Sequence, residues 1–283
     1  MPLPIKIRDQ YFDWEDTPYL MGILNVTPDS FSDGGEAETI DKALAKADKL
    51  LQAGAKILDI GGESTRPFAE PVPEEIELKK VLPVVKALRE AFPKAILSID
   101  TYKSKVAEET LKAGADIIND ISGGQFDPKI LDVAKDFNCP IVIMHIQGTP
   151  QTMQINPQYQ DVIKEIKTYF SERLNILSQK GISLDKVILD PGLGFGKNFT
   201  HNLSILKGLK EFQEFDRPIL LGPSRKSFIG EILKKPVSER DAGTAGVAIF
   251  AYLQGVHFLR VHNVAMVQDT LKTFKYLFKE LEG

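Results

Sequence analysis

From Tyr19 onward, short apolar runs alternate with longer stretches in which apolar residues recur every three or four positions. The runs are Tyr19–Val26, Lys56–Gly62, Ala95–Asp100, Asp116–Ile121, Pro140–Ile146, Val187–Gly192, Pro218–Ser224 and Val256–His262. They are rich in Ile, Val and Leu and continuous rather than alternating, the pattern of strands covered on both faces. The stretches Ile40–Gly54, Glu74–Phe92, Lys105–Gly114, Val162–Gly181 and Asn202–Phe215 predict helices. Several of these end in Ala-Gly-Ala or Lys-Gly, which places glycine at a helix C-terminus. Eight strand-then-helix units in 283 residues predict an α/β chain, a single (β/α)8 TIM barrel with its active site at the C-terminal ends of the strands. A doubly wound open sheet would bring a Gly-x-Gly-x-x-Gly turn after an early strand, and none occurs there. Residues 1–18 are expected to cover the base of the barrel, with residues 19–283 forming the barrel domain itself.

Composition narrows the partners. A formal net charge of −4 argues against nucleic acid or a membrane surface as the main partner. The one cysteine, Cys139, excludes an internal disulfide framework and a cysteine-based zinc site. The first residues, 1–16, lack the apolar core of a signal peptide, and no apolar stretch is long enough to span a bilayer. A cytoplasmic protein is expected.

A barrel places its chemistry where the strands end, and here every strand tip carries a polar group. The tips supply Asn25; Asp59 followed by 61–67; Asp100; Asn119 and Asp120; Met144 and His145; Asp190 followed by 191–197; the segment 222–227; and Arg260 with His262. A polar group closing an apolar strand costs stability unless it is paired. One such residue is explained by a structural network, but a full ring of them is not. Asp59 and Asp120 read equally well as backbone anchors, and His145 reads as a satisfied core histidine. His201 and His257 show no pattern, and Met144 suits either core filling or the wall of a flat-ring site. Two chemical types remain. Asp100, Asn119 and Asp190 suit the N–H edge of a flat heterocycle, with Lys226 donating to a ring carbonyl or nitrogen. Asn25, Arg66, Arg260 and His262 suit an anion such as a phosphate near the rim. A magnesium ion on diphosphate oxygens needs about one protein oxygen, which Asn25 can supply. The loop 27–35 carries Phe31 without an aliphatic neighbour. It reads either as a surface turn or as a lid hinged at Gly34-Gly35.

Four segments carry a resemblance. Asn-Val-Thr-Pro-Asp-Ser-Phe-Ser-Asp-Gly-Gly (25–35), Gly-Gly-Glu-Ser-Thr-Arg-Pro (61–67), Asp-Pro-Gly-Leu-Gly-Phe-Gly-Lys (190–197) and Gly-Pro-Ser-Arg-Lys-Ser-Phe-Ile-Gly (222–230) resemble the signatures of bacterial dihydropteroate synthases. Ile-Asn-Asp-Ile-Ser-Gly-Gly (118–124) and Arg-Val-His (260–262) agree. The resemblance implies a transferase of folate biosynthesis. It would join 6-hydroxymethyl-7,8-dihydropterin diphosphate to 4-aminobenzoate, with Mg2+, as a homodimer and a sulfonamide target.

By position, Asp100, Asn119, Met144, Asp190, Gly222 and Lys226 resemble the pterin-binding residues. Asn25, Arg66, Arg260 and His262 resemble the diphosphate-binding ones, Asn25 also facing the metal. Phe31, Thr65, Pro67, Phe195, Lys226 and Ser227 resemble the aminobenzoate pocket. Asp33, Thr65, Arg66 and Lys226 resemble the catalytic set, and loops 27–35 and 63–68 the mobile lids. The last two helices, Thr244–Gln254 and Val264–Leu281, are the expected dimer contacts. Three departures from the family pattern stand out. Asn263 follows His262 where aspartate is expected, so His262 would lack a charged orienting partner. The loop after His145 has Ile146, and Phe68-Ala69-Glu70 is bulky. The rival readings are a pterin-binding methyltransferase barrel and a non-catalytic pterin-binding paralogue. The first would lack the diphosphate set and the 25–35 loop; the second would have lost Lys226, Arg260 or that loop.

Overall fold

The computed structural model describes residues 2–15, 18–26 and 36–282, with side chains at all of these but 36–37 and 279–282. Phe31, Asp33 and the lid reading of 27–35 therefore lie outside the described residues. A hairpin comes first, β1 (Ile5–Ile7) and β2 (Gln10–Phe12). Then follow β3 (Tyr19–Asn25), α1 (Glu36–Gln52), β4 (Ile57–Gly61), α2 (Glu74–Ala91), β5 (Ile96–Asp100) and α3 (Ser104–Lys112). Next are β6 (Ile117–Asp120), α4 (Lys129–Asp136), β7 (Ile141–Met144), α5 (Val162–Gln179), β8 (Val187–Asp190) and α6 (Phe199–Lys207). The chain ends with β9 (Leu220–Leu221), α7 (Ser227–Leu233), α8 (Asp241–Leu253), β10 (Phe258–Val261) and α9 (Val264–Glu282).

Each of the strands β3 to β10 falls inside the apolar run that predicted it. They pair in parallel in the order β8-β7-β6-β5-β4-β3-β10-β9. A parallel bridge between Leu189 and Ile219 closes the ring, and Leu189 N donates to Pro218 O at 2.9 Å. One predicted helix, Asn202–Phe215, is broken. α6 stops at Lys207, Gly208 caps it, and Leu209–Phe215 continues as a 3-10 helix. A Cβ at Gly208 would press on Ile163 of α5, so the backbone turns where α5 comes closest.

Strand parity sorts the side chains, because alternate residues face opposite sides. Met21, Ile57, Ile96, Ile117, Val142, Ile188, Leu220 and Phe258 supply one residue from each barrel strand to a single inner layer. The hairpin residues Ile5, Ile7 and Phe12, with Trp14, are buried against that layer at the N-terminal mouth. Burying Phe12 alone is worth roughly 1.5–3 kcal/mol. Residues of the opposite parity, such as Leu58, Ile99, Ile143, Leu189 and Leu259, join the core between sheet and helices. The parity then dictates the site. Two or four residues beyond the apolar layer, toward the C-terminal ends, come Asn25, Asp59, Asp100, Asn119, Met144, Asp190, Gly222, Arg260 and His262.

Candidate active site

Arg260 is the centre of this ring. Its Nε donates to Asp59 Oδ2 at 2.5 Å and its Nη2 donates to Asp100 Oδ2 at 2.6 Å. Asn119 Nδ2 also donates to Asp59 Oδ2, at 3.1 Å. Arg260 therefore touches the heterocycle-binding set rather than standing apart at the rim. Asp59, read from sequence as an even choice, faces inward and orients both Arg260 and Asn119. Asp120, its look-alike, has the opposite parity. It accepts from Ser122 N at 2.7 Å, Ser122 Oγ at 2.8 Å and Gly124 N at 2.5 Å, so it shapes the turn after β6.

The electrostatics follow from burial. Burial pushes Asp100 up to about 7; Arg260 opposes this, and Asp59, Glu77 and Glu63 reinforce it. Burial raises Asp190 to about 6, against a hydrogen bond from Gly192 N at 2.7 Å and the nearby Lys226, Lys197 and Arg260. Burial, with Arg260, lowers Lys226 to about 8, while Asp190 and Asp100 hold it up. Burial also works against charge on Arg260, but Asp59 and Asp100 more than offset it and keep the guanidinium protonated.

The wall beside these groups is apolar. Ile121, Met144, Ile146 and Met153 form a buried cluster, with Tyr102, Phe126 and Phe195 packed on it. Ile146, one of the departures, thus fills the wall next to Met144. Lys226 Nζ lies 4.1 Å from the centre of the Phe195 ring, close enough for a cation–π contact. Phe195 belongs to the 191–197 turn, where Gly192 and Gly196 have φ of 69° and 66°. A Cβ at Gly192 would run into the His145 carbonyl, and one at Gly196 into the Gln147 carbonyl. The glycines let this turn lie directly on the loop after β7. A Cβ built on Gly222 would meet nothing within 4 Å, so the chain just past β9 leaves open space there.

At the rim, His262 Nδ1 pairs with Ser224 Oγ at 2.9 Å, while His262 N donates to the same oxygen at 3.1 Å. The hydroxyl proton then goes to Nδ1, which assigns the imidazole proton to Nε2. Burial, followed by the charges of Arg260, Arg225, Lys46 and Arg66, lowers His262 to about 3. The neutral Ser224 orients the histidine, and residue 263 turns elsewhere. Asn263 Nδ2 donates to Asp241 Oδ2 at 3.0 Å. Asp241 in turn takes two hydrogen bonds from Arg225, at 2.6 and 2.9 Å. Lys46, on α1, joins these cations without having been singled out from sequence; nothing local distinguishes it from other helix lysines.

The β4–α2 loop is tied at both ends. Glu63 accepts from Tyr102 Oη at 3.0 Å and pairs with Lys103, which also pairs with the buried Glu77. Further along, Phe68 N donates to Pro150 O at 2.9 Å and Gln151 donates to Glu70 at 2.9 Å. The Phe68 ring is 65% exposed, pointing bulk away from the interior. Thr65 is half-buried, while Arg66, Pro67 and Ser227 are exposed around the mouth. Among the described residues, no three of His, Cys, Asp or Glu gather as a metal-binding group. Asn25 is half-buried at the tip of β3, and a Cβ added at Gly61 would stand 3.8 Å from its Oδ1 and 3.4 Å from Asp100 Oδ2. The amide oxygen therefore opens on the same patch as Asp100.

A family model described as pterin binding enzyme matches residues 21–262. The chain is 44% identical over 279 residues to a dihydropteroate synthase of Synechocystis sp., spanning 98% of this chain and 96% of that one. The structure of Yersinia pestis dihydropteroate synthase with a sulfonamide drug complex is similar, with a TM-score of 0.91, 42% identity and coverage of 98% and 99%. That of Xanthomonas albilineans dihydropteroate synthase with 4-aminobenzoic acid gives a TM-score of 0.90, 37% identity and coverage of 98% and 98%. With its polar ring, apolar wall and cationic rim on this barrel, the chain belongs to the pterin-binding enzyme family and, within it, to the dihydropteroate synthases.

Proposed function

We propose that the ring of strand-tip residues carries the dihydropteroate synthase reaction in the following way. The chain is a transferase that condenses 6-hydroxymethyl-7,8-dihydropterin diphosphate with 4-aminobenzoate to 7,8-dihydropteroate and diphosphate. Asp190, Asp100 and Asn119 take the hydrogen-bonding edges of the pterin, with Met144 along its face, Gly222 leaving room for it and Lys226 donating to it. The observation that carries this reading is their convergence on one inner face directly above an apolar layer. Buried carboxylates accept N–H bonds strongly where water is excluded.

As the C–O bond to diphosphate breaks, the electron pair leaves with the diphosphate. Positive charge spreads from the exocyclic methylene into the ring. Asp100 and Asp190 offset that charge, Arg66 and Arg260 offset the charge on the leaving group, and the neutral His262 donates a hydrogen bond to it from Nε2. The aniline nitrogen attacks the methylene, forms the C–N bond and releases a proton. It needs positioning more than activation. Phe195, Lys226, Thr65, Pro67 and Ser227 provide that positioning, together with Phe31; Asp33 is assigned to closure over the reacting carbon. A hard-oxygen donor at the mouth without a carboxylate cage suits Mg2+, which keeps water and substrate phosphate oxygens as most of its ligands. Asn25 would hold the ion, and the ion when bound supplies further charge neutralisation on the diphosphate.

Two further assignments belong to this reading. The chain works in the cytoplasm, consistent with a single buried Cys139 whose thiol burial pushes up to about 12. It also pairs as a homodimer through α7, α8 and α9, where large apolar side chains remain exposed.

The test is Asp190→Asn. The amide presents a donor where the carboxylate presents an acceptor, so two donors face each other. Pterin affinity should fall by about 2–4 kcal/mol with the fold retained. In the parent chain, affinity should also weaken as pH drops below about 6, where Asp190 gains a proton. The variant should lose that step and keep the one that Asp100, raised to about 7, contributes. Calorimetry showing parental affinity, or the same pH profile, would remove Asp190 from the pterin site.

A further inference from the structure

We infer that Lys197 is a positioning residue that sets the Phe195–Lys226 face against which the aminobenzoate is held, acting through His145 and the loop backbone. This rests on the assignment of Phe195 to the aminobenzoate pocket. Lys197 is 1% exposed, although it closes a loop. Its Nζ lies 2.8 Å from Phe195 O, 2.9 Å from His145 Nδ1 and 3.2 Å from His145 O. The nitrogen thus reaches three polar partners, two of them carbonyl oxygens that accept from it. Burial pulls its pKa well down, and Asp190 acts on it from beyond ion-pair distance to hold it up. A leucine or methionine would fill the same space at lower cost. What the amine adds is direction.

The 191–197 turn is held through its backbone, because its glycines carry no side chains: Gly192 N donates to Asp190 Oδ1 and Gly194 N to Asn202 Oδ1, each at 2.7 Å. Its successive carbonyls from Gly194 to Gly196 each accept from a side chain. Gln154 Nε2 donates to Gly194 O at 2.7 Å, Lys197 to Phe195 O, and Tyr159 Oη to Gly196 O at 2.9 Å. The grip on Phe195 O fixes the residue whose ring lies under Lys226 Nζ at 4.1 Å. The same nitrogen pairs with His145, next to Met144 in the apolar wall. A shift of about 1 Å in such a shelf can cost around 100-fold in rate.

The experiment compares Lys197→Met, His145→Leu and His145→Asn with the parent enzyme, measuring aminobenzoate KM, kcat and pterin affinity. His145→Asn keeps an acceptor near the Nδ1 position. For Lys197→Met and His145→Leu the expected result is an aminobenzoate KM raised about tenfold or more; pterin affinity stays within about threefold in His145→Leu and falls by less than the aminobenzoate KM rises in Lys197→Met, where Asp190 loses a nearby amine; His145→Asn restores the KM. If Lys197→Met does not fold, the two His145 variants carry the test, since they leave the amine and both carbonyl acceptors in place. Parental KM in the folded variants overturns the proposal, as does a loss of both substrates' affinities in equal proportion. Phe195→Ala separates the two levels. If it raises the KM while the other variants do not, the relay is wrong and the pocket stands. If it too leaves the KM unchanged, the pocket assignment falls and takes the proposal with it.

Discussion

Asp59 and Asp120 differ by strand parity and by little else, yet one orients Arg260 and the other shapes a turn. Residue 263 shows the same dependence on neighbours. Asn263 gives an N–H to Asp241, and Asp241 neutralises Arg225 in the segment that carries Lys226. An aspartate at 263 would set two carboxylates against each other. Asn263→Asp should therefore destabilise the fold by about 1–3 kcal/mol at neutral pH. The swap Asn263→Asp with Asp241→Asn should recover most of that loss, because carboxylate and amide trade places. A thermal-unfolding double-mutant cycle measures it. Additive losses in the double variant would mean that the Arg225–Asp241–Asn263 chain does not act as a unit.

At the scale of elements, the proposed aminobenzoate pocket draws on two segments, of which 27–35 lies outside the described residues. Phe31 lies on residues 27–35 and Pro67 on the β4–α2 loop, whose base is pinned at Glu63 and whose far side rests on Pro150. Arg66 between those ties is exposed and free to meet a diphosphate. Aminobenzoate should accordingly bind the free enzyme weakly and bind at least about tenfold more tightly once pterin and magnesium diphosphate are in place. Isothermal titration with and without them checks this. Equal affinities would mean a preformed pocket and no closure by either loop.

The strands behind these loops were legible because continuous Ile/Val/Leu runs have few other uses in a chain of this length. The polar tips were legible because each one breaks such a run. Three things were not. The break at Gly208 depends on where α5 lies. The placement of Arg260 among the carboxylates depends on strands far apart in sequence. Lys197 ends a glycine-rich turn and looks like any solvent-facing lysine until the fold buries it.

For the whole molecule, the hairpin plugs the base of the barrel and the polar ring lies toward the other end, so the proposed homodimer would use the outer helices. Ile232 on α7, Phe250 and Leu253 on α8 and Tyr276 and Leu277 on α9 are 37–69% exposed. Exposed apolar side chains on these helices support the proposed pairing. Light scattering should report twice the 31.5 kDa chain mass, and Phe250→Glu with Leu253→Glu should halve it. A monomeric parent would refute the pairing.

The account's central claim is that this inner ring couples loss of diphosphate to capture of an amine. The direct measurement is product formation by the purified chain, supplied with the pterin diphosphate and Mg2+, with and without 4-aminobenzoate. The account predicts dihydropteroate and diphosphate in equal amounts when both substrates are present, and no dihydropteroate when either is left out. Diphosphate release at the same rate with or without 4-aminobenzoate, or no dihydropteroate with both substrates present, would contradict it.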